Sequence, residues 1–114
     1  MLSIDALKEF GADVEDGLTR CFGSEEFYLK LVAMITEEKS FGLLKEALEQ
    51  GDLDAAFEAA HALKGVAANL SLTPILNPAM EITEHLRLRE EMDYEPLLKE
   101  ILEQKETLDK IVKE

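Results

Sequence analysis

Apolar residues recur along this chain at spacings of three and four, and no stretch alternates β-branched and polar residues. That period predicts helices throughout and no sheet. The pattern predicts a short helix after Ser3, capped by that serine and stopped at Gly11, and a second from about Asp13 to Cys21, with Gly23 behind it. Ser24 is placed to cap a third helix through Phe27, Leu31 and Ile35. Ser40 is placed to cap a fourth, with Phe41, Leu44 and Leu48 on one face and Gly51 beyond its end. From Asp52 to Leu70 the pattern is clearest. Leu53, Ala56, Ala60, Leu63, Ala67 and Leu70 alternate steps of three and four, which is a bundle seam, and all six are expected to be buried. Thr73 reads as a cap with Pro74 in the first turn of a helix through Ile75, Ile82 and Leu86, extending toward Arg89. Asp93 reads as the start of a last helix that tolerates Pro96 in its first turn, with Leu97, Ile101, Leu108, Ile111 and Val112 as its apolar face.

The connections are short, so successive helices should pack antiparallel. The expected fold is all-α: an antiparallel up-down four-helix bundle with short extra N-terminal helices, a single domain over residues 1–114. No internal repeat, low-complexity segment or linker interrupts it. Met34, Met80 and Met92 read as core or boundary filler.

Charge narrows the function classes. With 25 acidic residues against 12 basic, the formal net charge is −13. Such a field repels a phosphate backbone and an anionic membrane, so neither nucleic acid nor membrane is an expected partner. Cys21 has no second cysteine to pair with and reads as a buried small hydrophobe, which fits a reducing compartment. The N-terminus carries neither a basic region nor a long apolar run, so no signal peptide is expected and a cytoplasmic location is. Met1 and the complete set of helices read as a stand-alone protein. Ala59 to Met80 is the stretch poorest in charge, with Lys64 alone, but Gly65, Asn69, Asn77 and two prolines make it no membrane span.

The candidate chemistry lies in that stretch. At about 100° per residue, His61 falls roughly 130° from the centre of the seam, so its imidazole should reach solvent. Phe57, Glu58, Lys64, Gly65 and Ala68 share its face. Lys64, one turn on, can set a positive charge beside anything bonded to the ring. Gly65 removes the side chain that would crowd the imidazole. A mid-helix glycine costs about 1 kcal/mol relative to alanine, so it calls for a reason. Two stand open: Gly65 lets a neighbouring helix pack closely, or it leaves room for a partner to reach His61. Glu58 is placed either to orient the ring by a hydrogen bond or simply to be solvated. Phe57 is either an exposed docking aromatic or packed on the adjacent helix. His85, between Glu84 and Leu86, reads as a surface or boundary residue.

Ala60-His61-Ala62-Leu63-Lys64-Gly65-Val66-Ala67-Ala68-Asn69-Leu70 resembles the signature of histidine-containing phosphotransfer (HPt) domains. The resemblance extends through Phe10-Gly11-Ala12-Asp13, Gly17-Leu18-Thr19-Arg20, Glu26-Phe27-Tyr28-Leu29-Lys30-Leu31 and Gly51-Asp52, and covers roughly Phe10 to Arg87. It implies a four-helix bundle that takes a phosphoryl group from the phospho-aspartate of one receiver domain and gives it to another. By matching position, His61 is the implied phosphoacceptor, Lys64 the phosphate-stabilising residue and Gly65 the clearance residue. The implied partners are receiver domains of response regulators and of hybrid sensor histidine kinases, with the chain itself a monomer. One departure is visible: Ser71 stands where the family usually has glycine, which bears on the turn after the helix rather than on the chemistry.

Elementary chemistry agrees with that implication. A histidine side chain, with a usual pKa of about 6.5, is a good nucleophile near neutrality, and phosphoryl transfer needs mainly positioning and charge neutralisation. The chain has no P-loop and no glycine-rich nucleotide loop, so no cofactor of its own is expected; a receiver would bring Mg²⁺ and the acidic pocket. The rival chemistry, a carboxylate-bridged di-metal site, finds one Glu-x-x-His pair in Glu58 and His61 but no second, because Ile82 stands at that spacing before His85. A non-catalytic alternative is a helical module that docks on and inhibits a receiver or kinase, leaving His61 unused.

Overall fold

The computed structural model describes residues 1–113. Among them the chain forms α1 (Ile4–Phe10), α2 (Val14–Arg20), α3 (Glu25–Met34) with a 3₁₀ turn at Ile35–Glu37, α4 (Ser40–Glu49), α5 (Leu53–Asn69), α6 (Thr73–Arg87) and α7 (Glu95–Lys113), and no strand. In the bundle α4 packs on α5, α5 on α6 and α6 on α7, in sequence order, and α1 to α3 cover one end.

Each start has an identifiable cause. Ser3, Asp13, Ser24 and Asp52 accept hydrogen bonds from the backbone N–H of Ala6, Asp16, Phe27 and Ala55, satisfying donors that a helix leaves unpaired in its first turn. Three starts differ from the sequence reading. Helix α7 begins at Glu95, two residues after Asp93, whose carboxylate accepts from the Glu95 N–H at 3.0 Å. Ser40 is the first helical residue of α4, not its cap; its hydroxyl and N–H both donate to Glu38. Thr73 is likewise already inside α6, with Leu72 at the cap position and Pro74 in the first turn.

The turns between bundle helices share one geometry. After α4, α5 and α6 the residue following the last helical carbonyls turns left-handed, and two N–H groups reach back to the helix end, as in Asp52→Ala47, Leu72→Ala67 and Glu90→His85. Gly51 takes that position after α4, with φ of 71°. Ser71 and Arg89 take it after α5 and α6, with φ of 54° and 50°. The departure at Ser71 therefore leaves the turn unchanged. A side chain there costs on the order of 1 kcal/mol, and tertiary bonds offset it: Ser71 Oγ donates to the Asp16 carboxylate, and its carbonyl accepts from Asp13 N–H at 2.9 Å. The Ser71 bond, aided by Arg20, holds the Asp16 carboxyl below its ordinary range. Arg89 lies beyond α6 rather than on its face.

The core comprises residues from all seven helices, including Leu7, Val14, Tyr28, Leu44, Ala60, Leu63, Ile75, Ile82, Leu86, Ile101 and Leu108. Of the six seam residues, Ala56, Ala60, Leu63, Ala67 and Leu70 are buried; Leu53, in the first turn, is only half-buried. Cys21 is buried. In α7 the seam is Leu98, Ile101, Lys105, Leu108 and Val112, so Leu97 is displaced from the predicted face to the boundary and Ile111 is half-buried. Lys105 broke the apolar pattern without leaving the interface. Its stem is covered, its ammonium lies 5.3 Å from the centre of the Phe41 ring, and Asp109 pairs with it at 2.7 Å. Met34, Met80 and Met92 are exposed, not filler; the core is closed without them.

Candidate functional site

The site is built on α5. Its buried alanines let α4 and α6 approach closely, so the helix is held on two sides and presents a narrow outward face. His61 stands on that face, exposed, in the middle of the helix. Among the described residues neither ring nitrogen has a hydrogen-bond partner. Glu58 is exposed and makes no bond to the ring, so it does not orient it. Lys64 is half-buried one turn on, with no ion pair among the described residues.

Gly65 is exposed, and a Cβ built on it would meet nothing within 4 Å. Among the described residues no neighbouring helix approaches it. Close packing among the described residues therefore gives no reason for this glycine.

Phe57 is half-buried against the core, one turn before His61. Its ring centre lies 5.7 Å from the imidazole, the planes tilted by 38°. It is a packed side chain, not a free docking aromatic. The guanidinium carbons of Arg87 and Arg89 lie 5.1 Å and 5.0 Å from its centre. Reading the sequence missed both arginines. The signal was available only through topology: the tight turn at Ser71 folds α6 back along α5 and brings its C-terminal end beside the first turns of α5. The face thus gathers Lys64, Arg87 and Arg89 in a chain of net charge −13.

Two grooves flank the face. One of about 510 Å³ runs between α4 and α5, with Ala55, Ala59 and Ala62 along it and Leu43 and Glu58 at its rim. The other, about 270 Å³, lies between α3 and the C-terminal half of α5, bounded by Met34, Val66 and Asn69. His85 lies apart from this group, partly covered, with Nδ1 bonded to the Glu90 carboxylate. Among the described residues no three His, Cys, Asp or Glu side chains are grouped to hold a metal ion, and no helix is long and apolar enough to cross a membrane. Chemically, the arrangement offers an open nucleophile on a braced helix with cations beside it.

The Hpt domain family model matches residues 36–111, well over half of the chain and including the whole of α4, α5 and α6. Comparison with curated proteins and with solved structures gives no match.

Proposed function

Since this chain belongs to the Hpt domain family, whose members are phosphocarriers that meet receiver domains in two-component phosphorelays, we propose that His61 accepts a phosphoryl group from a receiver-domain aspartate and passes it to another receiver. The observation that carries this reading is the open space at Gly65 beside an exposed, unbonded imidazole. A helix gains nothing internally from that glycine, and a partner that must close on His61 gains access.

In the proposed step the unprotonated ring nitrogen of His61 attacks the phosphorus of the aspartyl phosphate. A P–N bond forms, the P–O bond to the aspartate breaks, and the electron pair leaves on the carboxylate. The remaining ring N–H then loses its proton to water. The second transfer runs the same step in reverse onto another receiver. Lys64 lowers the cost of the phosphoryl charge at the ring. Mg²⁺ and the acidic pocket belong to the receiver, and this chain contributes the nucleophile, the Lys64 ammonium and the docking face between the two grooves. We extend the functional unit to α1–α3, which precede the matched residues: Tyr28 Oη donates to the Leu70 carbonyl at 2.8 Å, and Asp13 N–H donates to Ser71. Both bonds brace the end of the histidine helix.

The test is the initial rate of label transfer from a phosphorylated receiver domain with Mg²⁺. His61→Gln should abolish acceptance with its thermal melt unchanged, because the ring is off the seam. Lys64→Ala should slow acceptance without ending it. Gly65→Leu should impair it on an intact helix. Undiminished labelling of His61→Gln would end the proposal; a wild-type chain that binds the receiver and never takes label would be a docking module instead.

A further inference from the structure

The two arginines on Phe57 are held differently. Arg89 is committed: its Nε donates to Asp54 at 2.7 Å, and one terminal nitrogen donates to the Leu86 carbonyl at 2.6 Å. Its backbone is fixed in the left-handed turn after α6. Arg87, the last residue of α6, has only an exposed Nε contact to Glu84 at 3.2 Å, three residues back on the same helix. Exposed pairs of that kind are weak. Among the described residues neither terminal nitrogen of Arg87 has a hydrogen-bond partner.

An aromatic face holds a guanidinium through its π-system and leaves the N–H groups unspent. Phe57, which touches His61 on one hand and Arg87 on the other, therefore holds Arg87 on the face of the candidate site with its paired donors available. Those donors match the geometry of phosphoryl oxygens, which they can engage two at a time. Phosphorylation of the imidazole would place up to two negative charges on the ring that lies 5.7 Å from Phe57, the same ring that carries Arg87, in a chain already carrying −13. The charged groups around that position are Glu58 and Lys64 on α5, Glu84 and Arg87 on α6, and the Asp54–Arg89 pair.

We propose that Arg87 is a phosphoryl-binding residue: parked on Phe57 when His61 is unmodified, it turns to donate to the phosphoryl oxygens of phospho-His61. Arg89 is the fixed member that seats the Phe57 ring. This rests on His61 as the phosphoacceptor, but its test need not use a receiver. In a His85→Gln background, which leaves one imidazole, phosphoramidate can phosphorylate His61 chemically, and ³¹P NMR then follows the phosphoryl group through a pH titration. Arg87→Ala should move that titration to higher pH, because loss of a cation favours protonation, and Arg87→Lys should fall between. The Arg87 N–H signals should shift on phosphorylation. In equilibrium with a phosphorylated receiver, Arg87→Ala should lower the ratio of label on His61 to label on aspartate by about 3- to 10-fold, the loss of one exposed charge-assisted contact.

A phosphoryl titration identical in wild type and Arg87→Ala would overturn the proposal, as would a change in the melting curve alone. If the titration shifts but a phospho-receiver never labels His61, the relay reading fails and the arginine contact stands.

Discussion

Gly17 and Gly65 are both helical glycines, and their surroundings are opposite. A Cβ on Gly17 would stand 2.6–2.8 Å from the ring and hydroxyl of Tyr28, inside space already filled. A Cβ on Gly65 would meet nothing within 4 Å. At Gly17 the missing side chain lets α2 close over a buried tyrosine whose hydroxyl reaches the end of α5. At Gly65 it creates no internal contact at all. One glycine serves the fold; the other has no packing role among the described residues, and in the proposed function it leaves room for a partner. Gly42 is open too, but it lies in the first turn of α4, away from the candidate nucleophile, so openness is informative only together with what stands beside it.

Breaking the first side of this comparison should give the largest effect. Gly17→Ala must displace the Tyr28 ring and its bond to Leu70. We expect a loss of about 2–4 kcal/mol in urea unfolding, overpacking plus a broken buried hydrogen bond. A stability equal to wild type would mean that the cap is far more pliable than its packing indicates. Tyr28→Phe isolates the hydroxyl and should cost about 1–2 kcal/mol, because the Leu70 carbonyl loses its buried partner.

The same tyrosine sets an alkaline limit. Burial pushes its phenol from 10.0 up to about 12. A folded pKa above the unfolded one contributes stability that is complete below pH 10 and disappears as pH rises toward 12. Unfolding curves measured between those values should show a larger loss in wild type than in Tyr28→Phe, where Tyr94, also raised by burial, remains.

Gly65→Ala sharpens the other side. With no clash to offset helix propensity, it should raise stability by up to about 1 kcal/mol. A destabilised Gly65→Ala would show a packing role that the open space denies. The smallest effect belongs to Ser71. Since the folded Asp16 carboxyl is held below its ordinary range, its contribution is present above the usual carboxylate pKa and is lost as pH falls through the lowered one. Ser71→Ala should flatten that acid limb of the stability profile and leave neutral pH nearly unchanged, a difference readable from melts at graded acidic pH.

Where reading the sequence misplaced a residue, a polar side chain had entered an apolar row or an apolar one had been left outside. Lys105 sits in the α7 seam because its stem covers Phe41 and its head finds Asp109; a reading by hydropathy skips it and slides onto Leu97. Met34, Met80 and Met92 are unbranched and apolar, yet the alanine-lined bundle leaves them no room. Ser40 and Thr73 have capping chemistry, but each lies one step inside its helix, where capping would need a different backbone angle.

Hydrophobic period, capping and turn residues and short connections determined the helix number and their antiparallel order, and the period placed His61 outward, because 3.6 residues per turn assigns every side chain an angle on its own helix. What only the tertiary structure decided are relations between helices. Arg87 and Arg89 meet Phe57 because the turn at Ser71 sets how far α6 slides back along α5. Gly17 is filled because Tyr28 of α3 packs over it, and Gly65 is open because no described residue packs there. A residue's angle on its helix is local information, whereas the atoms it faces come from distant parts of the chain, and only the packed bundle brings them together.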